Sequence, residues 1–174
     1  MDSFKGYEKA VYAGGCFWGV EYFFQYALGV VATQVGYTGG SKETPTYKEV
    51  KTGTTGHAEA VEVIFDPALT TYEELTKLFL EIHDPTQLNK QGVDNGTQYR
   101  SAIFYMSEEQ KRIAEDLIKV LKDKGLNVVT QVVPLITFWT AEDYHQRYLE
   151  KKEETPECHF YTQRFDKKPE VTGQ

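Results

Sequence analysis

The chain has 174 residues, 40% of them hydrophobic, with 12 tyrosines and 10 phenylalanines. Such a chain suits one globular domain, able to bury roughly 70% of its unfolded surface without help from a disulfide or a metal. The formal net charge of −7 speaks against nucleic acid or an anionic membrane as the main partner.

The first ten residues, MDSFKGYEKA, lack the apolar stretch of a secretory signal. No apolar run reaches the roughly 18 residues of a membrane span. A cytoplasmic, reducing setting is therefore expected, in which Cys16 and Cys158 rest as thiols. In that setting the sequon at Asn95-Gly96-Thr97 reads as a turn. Residues 8–13 read as a short strand ending in Gly14-Gly15. Residues 17–28, FWGVEYFFQYAL, read as a buried helix that is apolar nearly all round, with Glu21 and Gln25 as its polar stripe. Residues 30–37 suggest a strand and TGGSKETPTY a loop. HAEAVEVIFD (57–66) alternates like a strand and is stopped by Asp66-Pro67.

Residues 70–83 form a helix with a capping box at Thr71 and Glu74. A long polar loop, DPTQLNKQGVDNGTQ (84–98), follows, and loops of this length in compact domains are often functional. Residues 99–106 make a strand. The next helix is capped by Ser107 and Gln110, buries Ile113, Leu117 and Leu121, and stops at Gly125. Strands NVVTQVVP and LITFW flank Pro134, and a last helix, 140–152, starts at Thr140. After about Glu150 the chain is charged and aperiodic. The order predicts a single domain over 1–174 with a loose tail. Its fold class is α+β, a two-layer sandwich of a mixed, largely antiparallel sheet with packed helices and a ferredoxin-like core.

Cys16 sits at a predicted strand-to-helix junction. Unpaired amides and the partial positive charge of a helix N-terminus favour the thiolate, and cysteines so placed titrate at roughly 3.5–7.5 instead of about 8.5. Gly14 and Gly15 would turn the backbone tightly and leave the sulfur uncovered. The plainer reading is a small buried hydrophobe. Spacing excludes several chemistries: position 19, where a C-x-x-C motif needs cysteine, is Gly19; position 22, where a phosphate loop needs arginine, is Tyr22; and position 18, where a nucleophile elbow needs glycine, is Trp18. Two distant cysteines without clustered histidines make no zinc site of the usual spacing. A cysteine–histidine hydrolase stays open, with His57, His83, His145 and His159 as candidates.

Alternation along 57–66 puts Glu59 on the apolar face with Val61, Val63 and Phe65, opposite Glu62. A carboxyl there is hard to ionise and could donate a proton at neutral pH; alternatively Glu59 sits at the solvated mouth of its strand. Tyr47 and Tyr99 offer hydroxyls, or pack as amphipathic residues. Asp94 reads as a turn former, and His145 as a solvated or structural histidine.

Together GGCFWG (14–19), PTYKEV (45–50), TGHAEAVEV (55–63), GVDNGTQYRSAIF (92–104) and AEDYHQRYL (141–149) resemble the methionine sulfoxide reductase A family over about Lys9 to His159. The resemblance implies reduction of methionine-S-sulfoxide, free or in proteins, by an enzyme without cofactor or metal. It implies Cys16 as the nucleophile on the sulfoxide sulfur and Glu59 as the acid on its oxygen. Tyr47 and Tyr99 would donate to the same oxygen, Phe17 and Trp18 would wall the methyl group, and Asp94 and His145 would border the substrate. Cys158 would resolve the Cys16 sulfenic acid, and thioredoxin or a similar dithiol would reduce the resulting disulfide. Many relatives carry two cysteines in a glycine-rich tail; this tail has one, so a spectator Cys158 stays open. A monomer is expected. The competing readings are a hydrolase using Cys16 with a histidine, which would need no reductant, and an aromatic-rich binding module, which would not need Cys16.

Overall fold

The computed structural model describes residues 5–171; the first four residues of the N-terminal segment and the last three of the expected tail lie outside them. Strand β1 (Glu8–Gly14) leads into helix α1 (Phe17–Gln25) and strand β2 (Val30–Thr38). A short helix α2 (Tyr47–Lys51) comes before β3 (Ala58–Phe65) and α3 (Tyr72–Ile82). A small ribbon of β4 (Lys90–Gln91) and β5 (Asp94–Asn95) precedes β6 (Ser101–Tyr105) and α4 (Glu108–Asp123). The last elements are β7 (Gln131–Pro134), β8 (Trp139–Thr140) and α5 (Tyr148–Lys152).

The main sheet runs β7-β6-β1-β3-β2-β8. Its neighbours are antiparallel except the β6–β7 pair. The unit β1-α1-β2-β3-α3-β6, with strands in the order β6-β1-β3-β2, is the split βαβ arrangement, and the ferredoxin-like expectation holds. One sheet face packs under α1 and α3. There Tyr12 stacks between Phe24 and Phe79 at ring-centroid distances of 5.2 and 4.8 Å, and its hydroxyl lies 2.7 Å from Thr76 Oγ1. On the other face, Ala13, Ala58, Ala60 and Ala102 are small enough for the 135–138 segment to lie close, with Leu135 and Phe138 as the cover. Both faces of β3 are thus buried. No helix among the described residues is long and apolar enough to cross a membrane.

Helix caps follow the sequence where the signal is local: Thr71 Oγ1 accepts from the Glu74 N–H and Ser107 Oγ from the Gln110 N–H, each at 3.1 Å. Four expectations need correction. Residues 45–51 are no plain loop: Thr46 and Glu49 close a complete capping box that starts α2. Residues 84–98 hold the β4–β5 ribbon rather than irregular chain. LITFW is strand at Trp139 alone. The helix expected over 140–152 breaks into strand β8, a 3₁₀ turn at Asp143–His145 and α5, with Arg147 at φ +54 between them. Tertiary bonds outbid the helix there. The Arg147 N–H donates to Glu21 Oε1 at 2.7 Å, and the Gln146 amide bonds both the N–H and the carbonyl of Val35. Glu21, on the polar stripe of its buried helix, is accordingly 1% exposed and anchors this segment.

Among the described residues, the tail after α5 forms no helix or named strand but is pinned. The Thr162 N–H donates to the Glu81 carbonyl at 2.8 Å, and the Arg164 N–H to Glu81 Oε2 at 2.9 Å. Arg164 Nη1 also bonds the carbonyls of Leu80 and His83.

Candidate active site

β1 ends at Gly14, Gly15 turns the chain at φ +95, and Cys16 stands as the N-cap of α1. Its carbonyl accepts from the Gly19 and Val20 amides at 3.2 and 3.4 Å. Its sulfur faces the amides of Trp18 and Gly19, which draw the thiol pKa down. They do not prevail. Burial first, and then the charge of Glu59, push the Cys16 thiol well above the usual thiol range. The low-pKa thiolate expected from the helix N-terminus is therefore corrected: the desolvation of the sulfur, with Glu59 and Asp94 beside it, outweighs the amides and favours the thiol.

Glu59 lies on β3 opposite Tyr37 of β2, on the helix-covered face that alternation assigned to it, and is 1% exposed. The Phe17 N–H donates to its Oε1 at 3.1 Å. Burial raises its pKa to about 8, against that hydrogen bond; Asp94 adds to the rise and Lys51 opposes it. At neutral pH the carboxyl is mostly protonated.

A cavity of about 250 Å³ brings together Cys16, Trp18, Tyr47, Glu59, Asp94 and Tyr99, and Cys158 borders it from the tail. Burial, then Glu59, raises the Tyr47 phenol to about 12 and pushes Tyr99 higher still, so both stay neutral donors. Burial and Glu157 also lift Asp94. Trp18 forms wall, its indole stacked on Tyr148 at 3.8 Å between centroids. Among the described residues no group of three or more His, Cys, Asp or Glu is placed to hold a metal ion.

Phe17 and His145 are not part of this wall. Phe17 is fully buried behind it, its ring against Tyr37 and Tyr47, and meets Glu59 through its backbone. His145 lies one layer back, accepting the Trp18 indole N–H on Nδ1 at 2.9 Å. The other histidines bond other groups: His57 with Gly40 and Lys42, His83 with Phe79 and Ser101, and His159, which also borders the cavity, with Gly14. None of these bonds makes the cysteine–histidine pair that a hydrolase needs.

Sequence reasoning missed Glu142. It accepts the Tyr47 N–H at 2.9 Å and the Tyr37 hydroxyl at 2.8 Å, and so fixes the start of α2 against β2. It also missed His159, 3% exposed. Each bonds groups far away in the sequence, two of them backbone, so neither role has a local signal.

A thiol facing a protonated carboxyl and two phenols across a small cavity, with a second thiol at its edge, defines an enzyme of the thiol-redox class. The peptide methionine sulfoxide reductase family profile matches residues 8–172. Peptide methionine sulfoxide reductase MsrA of Geobacter sulfurreducens is 55% identical over 148 residues, covering 83% of this chain and 91% of that one. Methionine sulfoxide reductase A of Corynebacterium diphtheriae superposes with a TM-score of 0.78 at 41% identity, covering 86% and 76% of the two chains. Reduced Mxr1 of Saccharomyces cerevisiae gives 0.81 at 34% identity over 90% and 92%. The chain belongs to the peptide methionine sulfoxide reductase family, and is an enzyme that reduces methionine sulfoxide to methionine.

Proposed function

We propose that the chain acts on the S epimer of methionine sulfoxide, in proteins and free, as a monomer in a reducing cytoplasm, with Cys16 as nucleophile and Glu59 as acid. A sulfoxide oxygen is a poor leaving group until it is protonated or strongly hydrogen-bonded, and donors aimed at developing charge in an enclosed site contribute up to about 3–4 kcal/mol each. In the first step the Cys16 sulfur attacks the sulfoxide sulfur while Glu59, Tyr47 and Tyr99 hold the oxygen. The sulfoxide oxygen ends on Cys16 as a sulfenic acid, the thiol proton stays with it, and methionine leaves; methionine sulfoxide is the oxidant. Trp18 walls the methyl group, Phe17 and His145 back that wall, and Asp94 orients the substrate. Cys158 then condenses with the sulfenic acid, and thioredoxin reduces the disulfide. The observation that carries the reading is a fully buried Glu59, its pKa raised by that burial, sharing one cavity with Cys16. The thioredoxin step draws support from yeast Mxr1, whose structure in complex with Trx2 is known.

Intact mass after mixing with one equivalent of methionine-S-sulfoxide tests it. The wild type should release methionine and lose two hydrogens, and Cys158→Ser should gain one oxygen instead. Methionine formation by Cys16→Ser would remove Cys16 from the reaction, and a normal wild-type rate in Cys158→Ser with thioredoxin would make Cys158 a spectator.

A further inference from the structure

Residues 153–160 form neither helix nor strand, yet Cys158 is held at the cavity edge, where a Cβ added to Gly92 would stand 3.2 Å from its sulfur. Its neighbour is the anchor. His159 Nε2 lies 2.7 Å from the Gly14 carbonyl oxygen; a carbonyl accepts only, so Nε2 carries the proton. Burial pushes the imidazole pKa down, against that hydrogen bond, so the ring is neutral there. The ring lies on the first turn of α1: a Cβ on Gly19 would overlap His159 Nδ1, and one on Gly15 would come within 3.1 Å of Nε2. The glycines around Cys16 therefore do more than turn the chain. They open a slot, and the side chain that fills it comes from the tail. Successive Cα atoms are about 3.8 Å apart, so fixing the His159 ring fixes the backbone that bears Cys158.

We infer that His159 is the positioning residue of enzyme regeneration: docked between the Gly14 carbonyl and Gly19, it holds Cys158 at the cavity that Cys16 lines. The inference rests on the proposal that Cys158 resolves the sulfenic acid. In that step the Cys158 sulfur attacks the Cys16 sulfur, the S–O bond breaks, and the hydroxide leaves with the Cys158 proton as water. The oxidising equivalents already sit on Cys16, so no further oxidant is needed. His159 exchanges no proton in this step. It removes the search of a loose segment for its partner, and releasing it should slow the step by about tenfold or more. The Glu81 and Arg164 contacts hold the tail beyond Thr162 independently, so only the stretch between α5 and Thr162 is freed.

The test follows the mass of the full chain through time after one equivalent of methionine sulfoxide, without reductant. His159→Ala should still release about one methionine per enzyme, which also reports that it is folded. It should accumulate the oxygen adduct, trappable by a 1,3-dione, with the disulfide forming about tenfold slower or more. His159→Gln, whose amide can donate to the Gly14 carbonyl, should recover most of the rate. Gly19→Ala should slow disulfide formation in the wild type and add nothing on top of His159→Ala. Disulfide formation at the wild-type rate in His159→Ala, or no better in His159→Gln than in His159→Ala, overturns the assignment while leaving Cys158 as resolver. A wild type that releases methionine but never forms the disulfide overturns the role of Cys158, and this assignment with it.

Discussion

Replacing Glu59 by Gln should stabilise the protein, and by an amount set by pH. The buried carboxyl has a pKa of about 8 against the ordinary 4.5, so its ionised form is disfavoured in the fold. The sign follows. The folded state binds its proton more tightly than the unfolded state, so Glu59 does no harm below about pH 4.5, and stability is lost as pH rises from there through 8. At about 1.4 kcal/mol per pH unit of pKa difference, the loss reaches roughly 3 kcal/mol at pH 7 and levels near 5 kcal/mol by pH 9. Gln removes the titration but keeps an oxygen for the Phe17 N–H, which now bonds Glu59 Oε1. Thermal melts of wild type and Glu59→Gln at pH 4.5, 7 and 9 should nearly coincide at the lowest pH. At neutral pH they should separate by roughly 6–12 °C in favour of Gln, and by more at pH 9. A gap that stays constant across this range would refute the claim that Glu59 is protonated in the fold, and with it the argument that it can act as an acid at neutral pH.

The same protonation predicts that single-turnover methionine formation by the wild type declines as pH rises through about 8; quenched-flow measurement of released methionine checks it. Glu142→Ala strips the acceptor from the Tyr37 hydroxyl and the Tyr47 N–H, and should cost about 2–4 kcal/mol in urea denaturation with a raised KM, whereas Glu142→Gln should lose less of both. Phe79→Ala, which empties a fully buried position stacked on Tyr12 and tilted against His83, should cost about 3–5 kcal/mol by the same assay with no change in the order of the chemical steps.

Period and caps made much of this fold legible. The alternation of β3 placed Glu59 on the helix-covered face because a strand has no choice but to alternate, and that face was marked by Val61, Val63 and Phe65. Thr71 and Ser107 announced their helices because a cap is written within four residues. The failures share a cause. The chain over 140–152 has helical composition, but Glu21, Trp18 and Val35 compete for its backbone and side chains from distant positions. The tail looked loose because the group that binds His159 is a backbone carbonyl, which carries no sequence signal. The capping box at Thr46 and Glu49 was within reach, hidden by the glycines and the proline before it. Gly19 was visible as the third glycine of its motif, but a glycine that makes room for a remote side chain looks like any other.

The high pKa of Cys16 bears on how the site would work. A thiolate held at all times at a helix N-terminus would react with any oxidant that reached it. Here burial, Glu59 and Asp94 all disfavour that charge, while the amides of Trp18 and Gly19 favour it. The resting cavity therefore holds a neutral thiol beside a neutral carboxyl. The proposed reaction brings no net charge in: thiol and sulfoxide become sulfenic acid and thioether. As the Cys16–sulfur bond forms, the sulfoxide oxygen gains negative charge, and that oxygen is where the Glu59, Tyr47 and Tyr99 donors converge on this reading. Negative charge then leaves sulfur as it develops on oxygen, under donors that give or share a proton. A substrate lacking that oxygen would leave the thiol un-ionised. On this argument the site gains selectivity by withholding its nucleophile until an S–O bond is present to draw it out, and the burial that suppresses the thiolate is part of the catalyst's design rather than a defect in it.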